Sequence, residues 1–227
     1  RLLKHCDAGL GGMLSAFEVM WQEFFQLVTG PKADRNPPLD DGHGYYVLVE
    51  SQGGDPVGDQ TRFETVLTEA LEQGLVVDAV VAASGRERDA LWAIRDDVEL
   101  TNTEGPVIHF DVSMRLADME AYVATVRRSM DAAFTGNHTW VFGHLGDGNL
   151  HILVAPGADD LATRHQVEQA VYEPLAAIGG SISGEHGIGL EKKPWLHLSR
   201  SEAEIDTLRR LKQALDPKGI LNPGKVL

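Results

Sequence analysis

The order of helix-like and strand-like segments predicts an α+β chain: antiparallel sheets of split βαβ, ferredoxin-like type, covered by helices on one side and built as two similar halves. Three observations carry this expectation. Apolar residues recur at helical spacing in some stretches and alternate with polar ones in others, and the two kinds take turns along the chain. The central strand pair is separated only by Gly146-Asp147-Gly148-Asn149, far too little for the crossover that a parallel pair needs. Finally, 227 residues with 43% hydrophobic and 24% charged side chains have an ordinary globular composition and can bury a full core, as one large domain or two small ones.

In order, the chain opens with RLLKHCDAG, which reads as the end of a helix stopped by Gly9 and suggests a piece of a longer protein. Residues 15–20 (SAFEVM) read as a strand, and 21–28 continue at helical spacing to the Gly30-Pro31 stop. Residues 31–43 form a loop rich in Pro and Asp, and 45–50 (YYVLVE) a strand. Residues 60–73 are an amphipathic helix with Phe63, Val66, Leu67, Ala70 and Leu71 on one face and Gly74 as its stop. Residues 76–83 (VVDAVVAA) are expected as a strand, and 87–100 as a helix with Leu91, Ile94 and Val98 inward. Residues 107–114 (VIHFDVSM) alternate, as a half-buried strand does, and 118–134 return to helical spacing. Residues 139–145 and 150–154 are the arms of the hairpin. A long helix over 159–178 contains Pro174, and Gly179-Gly180 leads into a short strand and the turn at Glu185-His186. A helical turn over 194–198 precedes a last helix over 201–215, opened by a capping box of Ser201 and Glu204. The tail DPKGILNPGKVL is extended and turn-rich.

The hairpin carries the chemistry. Asp147-Gly148 between apolar arms is a strong turn signal, because glycine supplies positive φ without a steric penalty. With those two residues at the centre, or with a four-residue loop over 146–149, His144 faces His151 and Leu145 faces Leu150. Opposed residues share one sheet face at ~5 Å, so two imidazoles would converge as a metal requires. Glu185 can add a carboxylate ligand and His186 a base, which makes a divalent-metal site the expectation. Either histidine alone is more simply a solvated or satisfied sheet residue.

The net charge of −14 argues against nucleic acid or an anionic membrane as partner. The clusters Arg127-Arg128 and Arg209-Arg210-Lys212 lie on amphipathic helices, where a solvated face is the simpler reading. No apolar stretch is long enough to span a bilayer. Cys6, the single cysteine, excludes an internal disulfide framework and fits a reducing compartment, so a cytoplasmic location is expected.

Three motifs, GHLGDGNLH at 143–151, SGEHGIG at 183–189 and DPKGILNPGK at 216–225, resemble the C-terminal substrate domain of the FAD-linked oxidase family. LSAFEVM at 14–20 and LWAIRDD at 91–97 are similar more loosely. The family includes D-lactate and D-2-hydroxyglutarate dehydrogenases and the flavin subunit of glycolate oxidase. The resemblance implies His144, His151 and Glu185 as ligands of a divalent metal, zinc in many members, and His186 as base. It further implies Arg95 as the holder of the substrate carboxylate and Asn222 as a neighbour of the flavin. Dicarboxylate-using members carry a lysine where this chain offers His109, and an asparagine where it has Leu153.

The function implied by this resemblance is a flavin-dependent oxidation of a 2-hydroxy acid to a 2-oxo acid. FAD would be bound by a preceding domain not visible in this sequence, and the electron acceptor is unspecified. The chain alone is then expected to fold and be inactive. The face meant for the other domain would expose an apolar patch and favour self-association. Two rivals are a metal-dependent hydrolase, which needs no flavin, and a non-catalytic small-molecule-binding module.

Overall fold

The computed structural model describes residues 1–227. In chain order the elements are α1 (Leu2–Leu10), β1 (Leu14–Trp21), α2 (Gln22–Thr29), β2 (Tyr45–Ser51), α3 (Pro56–Glu72), α4 (Gly85–Asp96) and β3 (Ile108–Ser113). Then come α5 (Met119–Ala133), β4 (His138–His144), β5 (Asn149–Ala155), α6 (Leu161–Ile178) and α7 (Glu202–Leu215). Short 3-10 turns occupy Pro31–Ala33, Val98–Glu104, Leu116–Asp118 and Lys193–Leu198. The strands form a five-stranded sheet of order β2-β1-β4-β5-β3, with antiparallel pairing. The expected α+β class is therefore the observed one, and β3, α5 and β4 with β5 inserted between the strands follow split βαβ order. No helix is long and apolar enough to cross a membrane.

The chain divides into two compact units. The first comprises Arg1–Thr103 and Trp140–Asp147. Here β1 pairs with β2 from Leu14↔Ser51 to Trp21↔Tyr45, and with β4 through Glu18↔His144, Val19↔Gly143 and Met20↔Phe142. Cys6 and Leu10 of α1, Phe17 of β1 and Val66 of α3 form one buried cluster. Phe24 stacks on Phe142 at 4.5 Å and Phe25 on Tyr46 at 3.5 Å, which fixes α2 on the strands. Asp55 caps α3 by accepting from Gly58 N, and Pro56 follows at the first turn, so the helix starts four residues before the expected Gln60. Ser84 caps α4 in the same way, and that helix ends at Asp96 rather than at 100, continuing as a 3-10 turn.

The second unit comprises Glu104–Thr139 and Gly148–Leu227. Strands β3 and β5 pair from Ile108↔Val154 to Ser113↔Asn149. Alternation then sends Ile108, Phe110, Val112, Leu150, Ile152 and Val154 to one buried face, where Phe110 meets Tyr172 of α6. Helices α5 and α6 are joined by Tyr122 Oη donating to Val171 O at 2.7 Å. Pro174 lies inside α6 without ending it; the helix stops at Gly179, whose φ of 64° gives the left-handed cap. The capping box of Ser201 and Glu204 opens α7 as expected.

Four expectations are corrected. Residues 76–83 form no strand; they pair with nothing regular, and Val77 is 77% exposed, so β-propensity alone did not make an element. Helix α1 runs through Gly9 and stops at Gly11, which carries the left-handed φ of 59° that a stop needs. The hairpin turn is Leu145–Gly148, one residue earlier than the expected loop, and Leu145 N–H donates to Phe17 O at 3.0 Å. The strand expected after Gly180 is a single bridge, Ser181 to Ser113.

Candidate functional site

In the second unit, the face of β3 and β5 opposite the core carries His109, Asp111, Asn149 and His151, with Asp111 directly across from His151. Asp111 is wholly buried. It accepts from Glu185 N with both oxygens (3.0 and 3.0 Å) and from His186 N (2.8 Å), and it lies 3.1 Å from Ser183 Oγ and 3.2 Å from Lys192 Nζ. Burial by itself would raise the Asp111 pKa. The backbone N–H groups of His186 and Glu185 and the Lys192 ammonium outweigh it and hold the carboxyl well below its usual range. Burial likewise pushes Lys192 down, countered in part by Asp111. One ionised carboxylate thus pins the loop 183–186 in place. Gly184 makes the approach feasible: a Cβ there would stand 2.8 Å from the Asn149 amide and 2.9 Å from Asp111 Oδ1. Across this face His151 Nε2 lies 3.8 Å from Glu185 Oε2, and the His151 and His186 rings stack at 5.7 Å. The His186 side chain is 62% exposed, with Nδ1 4.0 Å from Asp111.

In the first unit, Glu18 of β1 and His144 of β4 are cross-strand partners. Glu18 is 4% exposed and divides its oxygens: Oε1 lies 2.7 Å from His144 Nδ1, and Oε2 accepts from Arg95 Nε at 2.9 Å. Arg95 also reaches His144 Nε2 through Nη2 (3.1 Å) and sits over the Phe142 ring at 4.9 Å. Its helix is fixed one turn earlier by Trp92 Nε1 donating to Glu50 Oε2 (2.8 Å), and by Arg35 donating to Ala93 O (2.7 Å). Arg95 also keeps a longer contact to its helix neighbour Asp96 (Nη1 to Oδ1, 3.4 Å), but its side chain is only 12% exposed.

Of the residues singled out from sequence, His151, Glu185 and His186 come together in the second unit, and His144 and Arg95 in the first. His109 is exposed on β3, two residues from Asp111 on the same face. Asn222 lies in the C-terminal turn at φ 46°, its carbonyl accepting from Lys225 N at 3.3 Å. Sequence reasoning missed Glu18, Asp111, Ser183 and Lys192. Two of these left a signal: Glu18 is a charge within an apolar strand, and Asp111 sits on the polar register of 107–114.

Each unit thus holds imidazole and carboxylate groups on its strands, joined in the first by the Arg95 guanidinium and in the second by the 183–186 loop. The chain belongs to the family of FAD linked oxidases, C-terminal domain, whose pattern matches residues 6–226. It is 37% identical over 98% of its length to D-2-hydroxyglutarate dehydrogenase, mitochondrial, of Bos taurus, covering 40% of that protein. It is 34% identical over its whole length to the Arabidopsis thaliana enzyme of the same name, again covering 40%. The D-2-hydroxyglutarate–pyruvate transhydrogenase of Saccharomyces cerevisiae is 32% identical, with 47% covered. The chain therefore spans less than half the length of these relatives. Among solved structures, 4-ethylphenol oxidase from Gulosibacter chungangensis (isoeugenol complex) superposes with a TM-score of 0.62 over 93% of this chain and 47% of that one. At 17% identity this likeness speaks to the fold alone.

The cytoplasmic expectation is overturned: the bovine, rat and Arabidopsis relatives are all named as mitochondrial. A lone cysteine reports on redox environment, whereas cellular address is written in segments read by receptors.

Proposed function

We infer that this chain is the substrate domain of a flavin-dependent dehydrogenase that oxidises a 2-hydroxy acid, of D-2-hydroxyglutarate type, to the 2-oxo acid. One observation carries the reading: 37% identity to a D-2-hydroxyglutarate dehydrogenase across 98% of this chain. The relatives' greater length supports a separate FAD-binding domain in the parent protein, with turnover requiring both.

The donor chemistry fits a divalent cation. The family resemblance implies His144, His151 and Glu185 as ligands, two imidazole nitrogens and a carboxylate oxygen, a set whose chemistry suits zinc and would leave positions for a chelating hydroxy acid. Glu18 engages His144 Nδ1, the kind of carboxylate support that ligating histidines commonly have. Such a cation would lower the pKa of the substrate hydroxyl. His186 takes the hydroxyl proton on an imidazole, the side chain that exchanges protons near neutrality, with its main chain held by Asp111. Arg95 receives the carboxylate next to the hydroxyl through a forked pair of N–H donors. His109, on the face of β3 that carries Asp111, meets the far carboxylate of a dicarboxylic substrate. When bound, FAD would supply the hydride acceptor, and the resemblance implies Asn222 of the tail turn as a neighbour of the flavin.

Anaerobic mixing of the parent flavoprotein with D-2-hydroxyglutarate tests this directly. Bleaching of the flavin by the D enantiomer, lost on chelation and regained with zinc, is expected. An unchanged flavin spectrum with D-2-hydroxyglutarate and with D-lactate would refute the reading.

A further inference from the structure

We propose that Lys192 is a positioning residue: its ammonium ties the start of the loop 183–192 to β3 and so holds Glu185 and His186 in place. Its effect on catalysis rests on the dehydrogenase reading above. Lys192 is 8% exposed, and an ammonium so buried is tolerated where its donors are met. Nζ has three donors and meets three acceptors: Ser183 Oγ at 3.0 Å, Asp111 O at 3.1 Å and Asp111 Oδ2 at 3.2 Å. With all three spent inside the fold, Lys192 has none to offer a substrate. Its use is to connect.

The loop needs such a connection. It crosses Gly187 and Gly189, at left-handed φ of 79° and 57°, so backbone preference alone gives it little rigidity. Its far end is anchored by the turn that follows. There Trp195 and Leu196 are buried, Trp195 N–H donates to Lys192 O at 3.0 Å, and the Trp195 indole donates to Glu168 of α6 at 3.1 Å. The near end leaves the sheet at the bridge of Ser181 and Ser113. The Lys192 side chain joins the two ends by meeting Ser183, nine residues earlier. It also grips Asp111 by both its carbonyl and its carboxylate, and so fixes the direction from which that carboxylate receives the Glu185 and His186 amides. His186, with a side chain 62% exposed, takes its place from that main-chain bond rather than from burial of its ring.

The test is hydrogen exchange at the Glu185 and His186 amides of the 227-residue chain, comparing wild type with K192M and K192R. Methionine keeps the buried stem and removes every donor, whereas arginine keeps donors. Both amides should exchange roughly 10-fold faster in K192M, the low end of what a hydrogen bond to a charged group is worth. Core amides of β5 should be much less affected, and K192R should recover part of the difference. A packing role alone predicts the reverse order, because methionine fills the space of the stem better than arginine. If K192M does not fold, S183A, which removes one acceptor and leaves the lysine, decides on the same amides. Wild-type exchange in the folded variant would overturn the proposal, since Asp111 would then hold the loop unaided. In the parent flavoprotein, K192M should slow flavin reduction at saturating D-2-hydroxyglutarate by roughly 10–100-fold. A released loop with wild-type flavin reduction refutes the positioning role. A released loop in a parent that reduces no flavin with D-2-hydroxyglutarate or D-lactate upholds the hold on Glu185 and His186 and sinks the dehydrogenase reading instead.

Discussion

Asp111→Asn should release the loop that carries Glu185 and His186. Four donor groups converge on the native carboxylate: two backbone N–H groups, the Ser183 hydroxyl and the Lys192 ammonium. An asparagine keeps one acceptor oxygen and turns an NH2 toward the remaining donors. Hydrogen bonds to a charged group contribute about 1.5–3 kcal/mol each, and removing one partner of a buried ion pair costs about 3–5 kcal/mol. Lys192 retains two other acceptors, Asp111 O at 3.1 Å and Ser183 Oγ at 3.0 Å, so it is not orphaned. That places the expected loss at the low end, about 3 kcal/mol, or roughly 10²-fold in the opening equilibrium. Hydrogen exchange resolved at the amides of Glu185 and His186 reads this opening locally. Acceleration near 10²-fold at these two amides, with the core amides of β5 much less affected, is expected. Acceleration of under about threefold would show that the loop is held by something other than Asp111.

Three other perturbations act through named contacts. His151→Ala should strip most bound metal while the fold persists, since His151 is a partly exposed strand residue; elemental analysis with a matched melting curve checks it. Gly184→Ala drives a methyl to within 2.8 Å of Asn149 and 2.9 Å of Asp111 Oδ1, so it should destabilise by about 1–3 kcal/mol in urea titration. Asp216 ties the tail by accepting from Lys212 Nζ, Leu221 N and Ile220 N, the Lys212 bond being the largest cause of a pKa lowered to about 2. A lowered carboxylate pKa stabilises above the unfolded value and ceases to as pH falls through the folded one. Tail amides 220 and 221 should therefore stay protected at neutral pH and lose protection from about pH 4 down to about 2. Equal protection across that window would remove Asp216 from its role.

Local pattern was sufficient for much of the fold. Strand β2, the α7 capping box and the two arms of the hairpin are written in periodicity, caps and one Asp-Gly pair. It failed at 76–83, where apolar β-branched residues are adjacent but no strand lies alongside. Fold elements need a partner as well as a propensity, and sequence displays only the second. His144 and His151 stood out in the sequence because their spacing around a turn is local. Glu18 and Asp111 did not: Glu18 meets Arg95 from 77 positions away, and Asp111 meets Glu185 from 74. Each looked like a stray charge in a strand. Only long-range closure turns them into the supports of His144 and of the 183–186 loop.

The central step proposed for this domain is removal of the proton from a metal-held hydroxy acid by His186. Its most direct test is single-turnover reduction of the flavin in the parent protein, wild type against His186→Ala, with bound metal measured on the same samples. A fall of about 10²–10⁴-fold in the reduction rate with metal content unchanged is expected. A His186→Ala enzyme that reduces its flavin at the wild-type rate across neutral pH would contradict it.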